Sequence, residues 1–216
     1  MLAPPFAAKE TASHAKCTAV ASAFSEALSR VPAQARDPWF DSLCGFHAIP
    51  EDDPALPHGS VPYLPCPVAT VLAAIAHANV TSEDVFVDIG SGIGRVALLV
   101  NLVTGAQCIG LELQPKLVAA ARERANQLNL RGVSFVLADA VAALRRDGTG
   151  TVFFLYCPFS GTHLEQLLEV LEHVARRRSI RICCVQMSPL DRPWLTRLQS
   201  PNAELEIYRS TFAARE

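Results

Sequence analysis

The sequence predicts a doubly wound, mostly parallel α/β fold with an N-terminal helical extension, and three observations lead there. From Pro67 onward, short apolar runs alternate with helix-length amphipathic segments. The runs are nearly continuous in apolar residues, as strands buried on both faces must be. Five of them are separated by helices, and right-handed crossovers then lay them side by side in one sheet covered on both faces. Composition agrees: 216 residues, 50% hydrophobic and 19% charged, suffice for one domain with a sizeable core and exclude disordered or collagen-like chains.

In chain order, Val20, Phe24, Leu28 and Val31 recur at helical spacing in an Ala-rich stretch, which predicts an amphipathic helix over 11–31 packed on the main domain. Residues 32–67 hold Pro32, Pro38, Pro50, Pro54, Pro57, Pro62, Pro65 and Pro67 with Trp39, Phe40 and Phe46. Prolines this dense exclude long helices and central strands, so an irregular, aromatic-bearing connector is expected. A helix at 68–79 follows, then VFVDI (85–89), a helix at 94–103, QCIGLE (107–112) and a helix at 115–128. VSFVLA (133–138), a short helix at 140–146, TVFFLY (151–156), a helix at 162–176 and SIRICCVQM (179–187) continue the rhythm, and ELEIYR (204–209) is a last strand. The chain thus divides into an extension, 1–60, which is a candidate substrate lid, and a ligand-binding domain, 61–216. Ligand belongs outside the carboxyl ends of the strands.

Several functions are excluded early. Nineteen Lys and Arg against 21 Asp and Glu provide no basic excess, so no long nucleic acid is expected as a partner. The seven cysteines are odd in number and contain no C-x-x-C, which argues against a disulfide framework or a zinc site. His77, His163 and His173 lack a second ligand at helical spacing and read as surface or satisfied core residues, so no metal site is assigned. No signal peptide or membrane span is apparent, and a cytoplasmic protein is expected.

The chemistry is concentrated after the first strand, in Val87-Asp88-Ile89-Gly90-Ser91-Gly92-Ile93-Gly94-Arg95. Closely spaced glycines let the backbone turn sharply and approach a nucleotide-like ligand. The dinucleotide fingerprint needs a third glycine where Arg95 stands, so NAD does not fit. What remains is an acidic-x-G-x-G-x-G pattern, and the Asp88 carboxylate favours a cationic ligand. S-adenosylmethionine carries both an ammonium and a sulfonium.

On these residues the chain resembles the class I, seven-strand S-adenosylmethionine-dependent methyltransferases, which have a Rossmann-like sheet, over roughly 60–216. The resemblance implies that Asp88, Gly90, Gly92 and Gly94 form the cofactor loop. It implies that Glu112 in GLEL binds both ribose hydroxyls, and that Asp139 with Ala140 in LADA meets the adenine; Asp139 also suits an N-cap. VPYLPCP (61–67) resembles the Y-x-P-T-P element of a protein-lysine methyltransferase subgroup with prokaryotic and mitochondrial members, with Cys66 in place of the threonine. There Tyr63 would flank the methionine end of the cofactor. Tyr156-Cys157-Pro158-Phe159 stands where related enzymes carry Asp/Asn-Pro-Pro-Tyr/Phe, which makes Tyr156 and Phe159 the candidate catalytic, acceptor-side residues. The missing Asp or Asn counts against a planar nitrogen acceptor. The reading is N-methylation of an amino group such as a protein lysine; the alternatives are a small-molecule N- or O-methyltransferase, lidded by the Trp39-Phe40 connector, and a non-catalytic binding protein of the same fold.

Overall fold

The computed structural model describes residues 21–46, 49–54, 61–200 and 204–212. Seven strands, β1 (Val85–Ile89), β2 (Gln107–Glu112), β3 (Val133–Leu137), β4 (Val152–Tyr156), β5 (Arg181–Val185), β6 (Leu195–Leu198) and β7 (Leu205–Ser210), form one sheet in the order β3-β2-β1-β4-β5-β7-β6. The first five are parallel; β7 runs antiparallel to β5, and β6 antiparallel to β7. The doubly wound, mostly parallel α/β fold read from the sequence is therefore the fold observed. Six of the strands are those the apolar runs mark. The seventh, β6, has only four residues, two of them exposed, at the sheet edge, and so lacks the buried run that betrays the others.

The helices are α1 (residues 21–29), α2 (Arg36–Cys44), α3 (Val68–His77), α4 (Arg95–Thr104), α5 (Pro115–Gln127), α6 (Ala140–Asp147) and α7 (Gly161–Ala175). The expected helix over 11–31 is present where it can be followed, at 21–29; its first half lies outside the described residues. The connector expected to be irregular instead contains α2. Pro38 falls in its first turn, where the backbone N–H has no helical partner to lose, so proline does not prevent the helix. Gly45 ends it in the left-handed conformation at φ 70°.

Side-chain alternation splits the core into two layers. Phe86, Phe154, Cys183 and Ile207 face α3, α4 and α5, and the same layer takes in Phe24, Leu28, Phe40, Cys44 and Phe46 from the N-terminal segment. Val87, Phe153, Leu155, Ile182, Cys184 and Tyr208 face α6 and α7. Phe40 is fully buried and Trp39 packs on Phe24 at 5.7 Å, so these two rings serve the core; the structure does not place them over a pocket. Because β1 lies between β2 and β4, crossovers leave it in opposite directions and open a crevice at its carboxyl end.

Cys44, Cys66, Cys108, Cys157, Cys183 and Cys184 are free thiols. Burial pushes the Cys183 thiol up to about 12, so it stays protonated and inert. Dithiothreitol is therefore expected to leave the melting temperature unchanged in a thermal scan.

Candidate active site

After β1 the chain turns through Gly90, Gly92 and Gly94, all at positive φ, before α4 begins. The loop is tied to the end of β2: Gly90 and Ser91 donate their N–H groups to the Leu111 carbonyl at 2.9 and 3.0 Å, and Gly92 donates to Glu112 Oε2 at 2.8 Å. Gly92 must be glycine for two reasons. Its φ is 53°, and a Cβ there would lie 2.1 Å from Cδ2 of Tyr63, whose ring rests on the loop.

Tyr63 is delivered by a strap that crosses the loop. Its N–H donates to the Asp52 carboxylate at 3.1 and 3.2 Å, and Gln114 Nε2 donates to Asp52 Oδ1 at 2.7 Å. Asp53 N–H returns to Gln114 Oε1 at 2.7 Å, while Val61 N–H donates to the Pro158 carbonyl at 3.3 Å. The strap thus joins the loop after β2 to the loop after β4. Arg95, the residue that excludes a dinucleotide fingerprint, anchors it. Its guanidinium is only 3% exposed, donates to Asp41, Asp37 and the Cys66 carbonyl at 2.9, 2.8 and 2.5 Å, and lies over the Phe40 ring.

Beneath the strap is an open cleft at the carboxyl end of β1, the concave kind of place where small-molecule sites form. Three buried polar atoms that line it, Tyr63 Oη, Asp88 Oδ2 and Ser91 Oγ, have no hydrogen-bond partner. Each such orphan costs about 1–3 kcal/mol, so three at one place indicate a polar ligand. This is the fit S-adenosylmethionine requires: a cationic end against Asp88 and a backbone cradle with no side chains.

Glu112 is 8% exposed and accepts three backbone bonds, from Gly92 at Oε2 and from Leu113 and Gln114 at Oε1, at 2.8, 2.8 and 2.9 Å. It therefore holds the glycine loop as well as facing the cleft. Asp139 caps α6, with Oδ1 accepting from Ala142 N–H at 2.8 Å, and Oδ2 lies 2.9 Å from His163 Nε2. Ala140 lies buried at the start of α6 and lines the same cleft. Tyr156, half-buried, and Phe159, 8% exposed, reach the cleft from the loop after β4, where Cys157 sits at φ 43°. Eight of the ten residues singled out from the sequence line this cleft, and Gly92 and Gly94 belong to the loop beside it.

Sequence reasoning passed over Ser91, Gln114, Asp52 and His163. Ser91 lies inside the glycine loop and could have been read there; Asp52 and Gln114 are 62 residues apart and meet only through the fold. His163 was read as a surface or core residue, but it stands in the cleft with its ring edge-on to Phe159 at 4.4 Å.

Burial, and next the nearby Glu112 charge, raise the Asp88 carboxyl from 3.8 to about 7. Because the folded value lies above the unfolded one, stability falls as pH rises from about 4 to about 7 and then levels. A cationic ligand favours the ionised form, so cofactor affinity is expected to rise with pH up to about 7, and Asp88→Asn should flatten that profile. Calorimetry between pH 5.5 and 8, repeated in two buffers to count released protons, measures both.

Residues 86–178 match the family model described as a methyltransferase domain. Among solved structures, a candidate methyltransferase from Escherichia coli, yhhF, is 17% identical with a TM-score of 0.58, over 75% of this chain and 91% of that one. An RNA methyltransferase from Salinibacter ruber, in complex with S-adenosyl-L-homocysteine, is 23% identical with a TM-score of 0.52, over 71% and 96%. A candidate methylase from Haemophilus influenzae is 15% identical at 0.52, over 67% and 89%. At such identities the likeness is one of fold. No curated protein matches the chain. Fold, loop and domain match together define an S-adenosylmethionine-dependent methyltransferase. Among the described residues, no helix is long and apolar enough to cross a membrane and no cluster of His, Cys, Asp and Glu could hold a metal ion.

Proposed function

We propose that this enzyme N-methylates an amino group, with a protein lysine as the acceptor. The observation that carries the reading is the acceptor side of the cleft: Tyr156 and Phe159 line it from the loop after β4, and the one guanidinium among its described lining residues, Arg95, is committed to Asp37 and Asp41 and so does not recruit a phosphate. The balance of 19 cations and 21 acids over the whole chain likewise supports an amine over a long RNA. The VPYLPCP strap, through its resemblance to the protein-lysine subgroup, supports a protein acceptor.

When bound, S-adenosylmethionine supplies a methyl group on positively charged sulfur. Tyr63, Asp88, Ser91 and the glycine loop would hold its amino-acid end, and Glu112 and Asp139 its nucleoside. A lysine amine, with an ordinary pKa near ~10.4, reacts only after losing its proton, and a dry aromatic wall favours the neutral form. Tyr156 and Phe159 provide that wall. Burial, and then nearby charge from Cys66 and Glu204, raise the Tyr156 hydroxyl, so it stays protonated and orients the amine by hydrogen bonding without acting as a base. The bound cofactor would supply an electrophilic methyl carbon and a sulfur that takes back the C–S electron pair, so the residues of this chain need only present the neutral amine toward that carbon and exclude water, and no covalent enzyme intermediate is required.

Tyr156→Phe is expected to lower turnover about tenfold or more while cofactor affinity stays within a few fold. Phe159→Ala removes a buried ring and should cost about 3–5 kcal/mol of stability, so Phe159→Leu is the better kinetic probe. Normal turnover in folded Tyr156→Phe would remove that hydroxyl from acceptor binding. The test of the function is incubation with methyl-labelled cofactor and cell lysate. Label in lysine of an acid-hydrolysed protein fraction is expected; label confined to small molecules or RNA would overturn the reading.

A further inference from the structure

We propose that His163 is a positioning residue for the nucleoside end of the cleft, holding Asp139 in the one orientation that can accept a hydrogen bond from the adenine amino group. It rests on the reading of Asp139 as the adenine acceptor. Asp139 lies on the loop after β3, and its carboxylate has about four acceptor positions. The α6 cap takes one on Oδ1, from Ala142 N–H at 2.8 Å. That bond alone leaves the carboxylate free to turn about Cβ–Cγ. His163 Nε2, 2.9 Å from Oδ2, is the second point of attachment. A carboxylate only accepts, so this nitrogen donates whether the ring is neutral or charged. Two donors from separate elements fix the carboxylate plane, and the remaining acceptor positions lie beside a cleft that Asp139, Ala140 and His163 line together.

The His163 ring is itself held. It sits on α7, in a sequence otherwise remote from β3, and packs edge-on to Phe159 with centroids 4.4 Å apart and planes at 76°. Phe159 is 8% exposed and packs in the core layer under α6 and α7, so the imidazole is braced by a rigid neighbour. His163 therefore spans the loop after β3, which meets the nucleoside, and the loop after β4, which meets the acceptor.

The test compares two ligands by calorimetry: S-adenosylhomocysteine, and its inosine counterpart, in which a keto oxygen replaces the adenine amino group. Wild type is expected to prefer the adenine compound by about tenfold or more, the range of one hydrogen bond to a charged group. His163→Phe keeps a ring against Phe159 but loses the donor, and should erase most of that preference, read as the ratio of the two affinities so that any general change in the cleft cancels. His163→Gln, whose amide can donate to Asp139, should restore it. Asp139→Ala, which leaves no acceptor, is the control on the underlying reading. If folded Asp139→Ala keeps the wild-type preference, Asp139 does not meet the adenine and both readings fall. If Asp139→Ala loses the preference but His163→Phe keeps it, Asp139 stands and the role of His163 is overturned. Equal loss in His163→Gln and His163→Phe would also overturn it, because shape and not the donated bond would then be responsible.

Discussion

Replacing Glu112 with alanine is expected to weaken cofactor binding by about a hundredfold or more, the largest effect of any single side chain at the site. The expectation exceeds the loss of the two ribose contacts proposed for it because the same carboxylate accepts the N–H groups of Gly92, Leu113 and Gln114. Hydrogen bonds to a charged group are worth roughly 1.5–3 kcal/mol each, and truncation leaves buried donors unpaired. The Gly92 bond spans 20 residues and stitches the loop after β1 to the end of β2, so its loss frees the cradle itself. Melting temperature should fall along with affinity. Glu112→Gln, which keeps one carbonyl oxygen, should lie between the two. Calorimetry with S-adenosylhomocysteine and a thermal scan on the same samples measure this, and unchanged affinity in Glu112→Ala would remove the residue from the site.

Gly92→Ala is expected to approach the same severity for a different reason. One methyl group would meet Cδ2 and Cε2 of Tyr63 at 2.1 and 2.2 Å, and φ of 53° adds strain of about 1 kcal/mol for any residue with a Cβ. Relief requires the Tyr63 ring to lift away. That ring is carried by a strap latched through Asp52 and Gln114, so the displacement spreads into the cofactor wall. The double variant Gly92→Ala/Tyr63→Ala tests the cause. If the clash dominates, the double variant should bind cofactor better than the sum of the two single losses allows, as expected for residues in contact. Strict additivity would show that backbone strain alone is responsible.

The order of strands and helices from α3 to β5 was legible because β1, β4 and β5 are buried almost throughout and read as continuous apolar runs, the edge strand β3 still carries apolar residues at four of its five positions, and each helix needs one apolar stripe. Where a strand is both short and exposed, the signal fades. β6, at the sheet edge, carries two exposed residues in four and left no pattern, and α2 was masked by Pro38, whose place in the first turn makes it harmless. The same logic explains the site. Glycines at fixed spacing after a strand, and single carboxylates at the ends of the next two, are local features that chain order reveals.

The sequence by itself therefore determined the parallel α/β fold, the cofactor class, and Asp88, Glu112 and Asp139 as the acidic ends of three successive strands. Only the tertiary structure decided what those groups bind within the protein. Glu112 proved to brace the glycine loop, Asp139 to be held by His163, and Arg95 to anchor a strap from the N-terminal segment. The reason is separation along the chain. Asp37 and Arg95 lie 58 residues apart, and Asp52 and Gln114 lie 62 apart; a hydrogen bond of 2.7–2.8 Å between such groups leaves no periodicity in the sequence, because its geometry is set by packing of the elements that carry them.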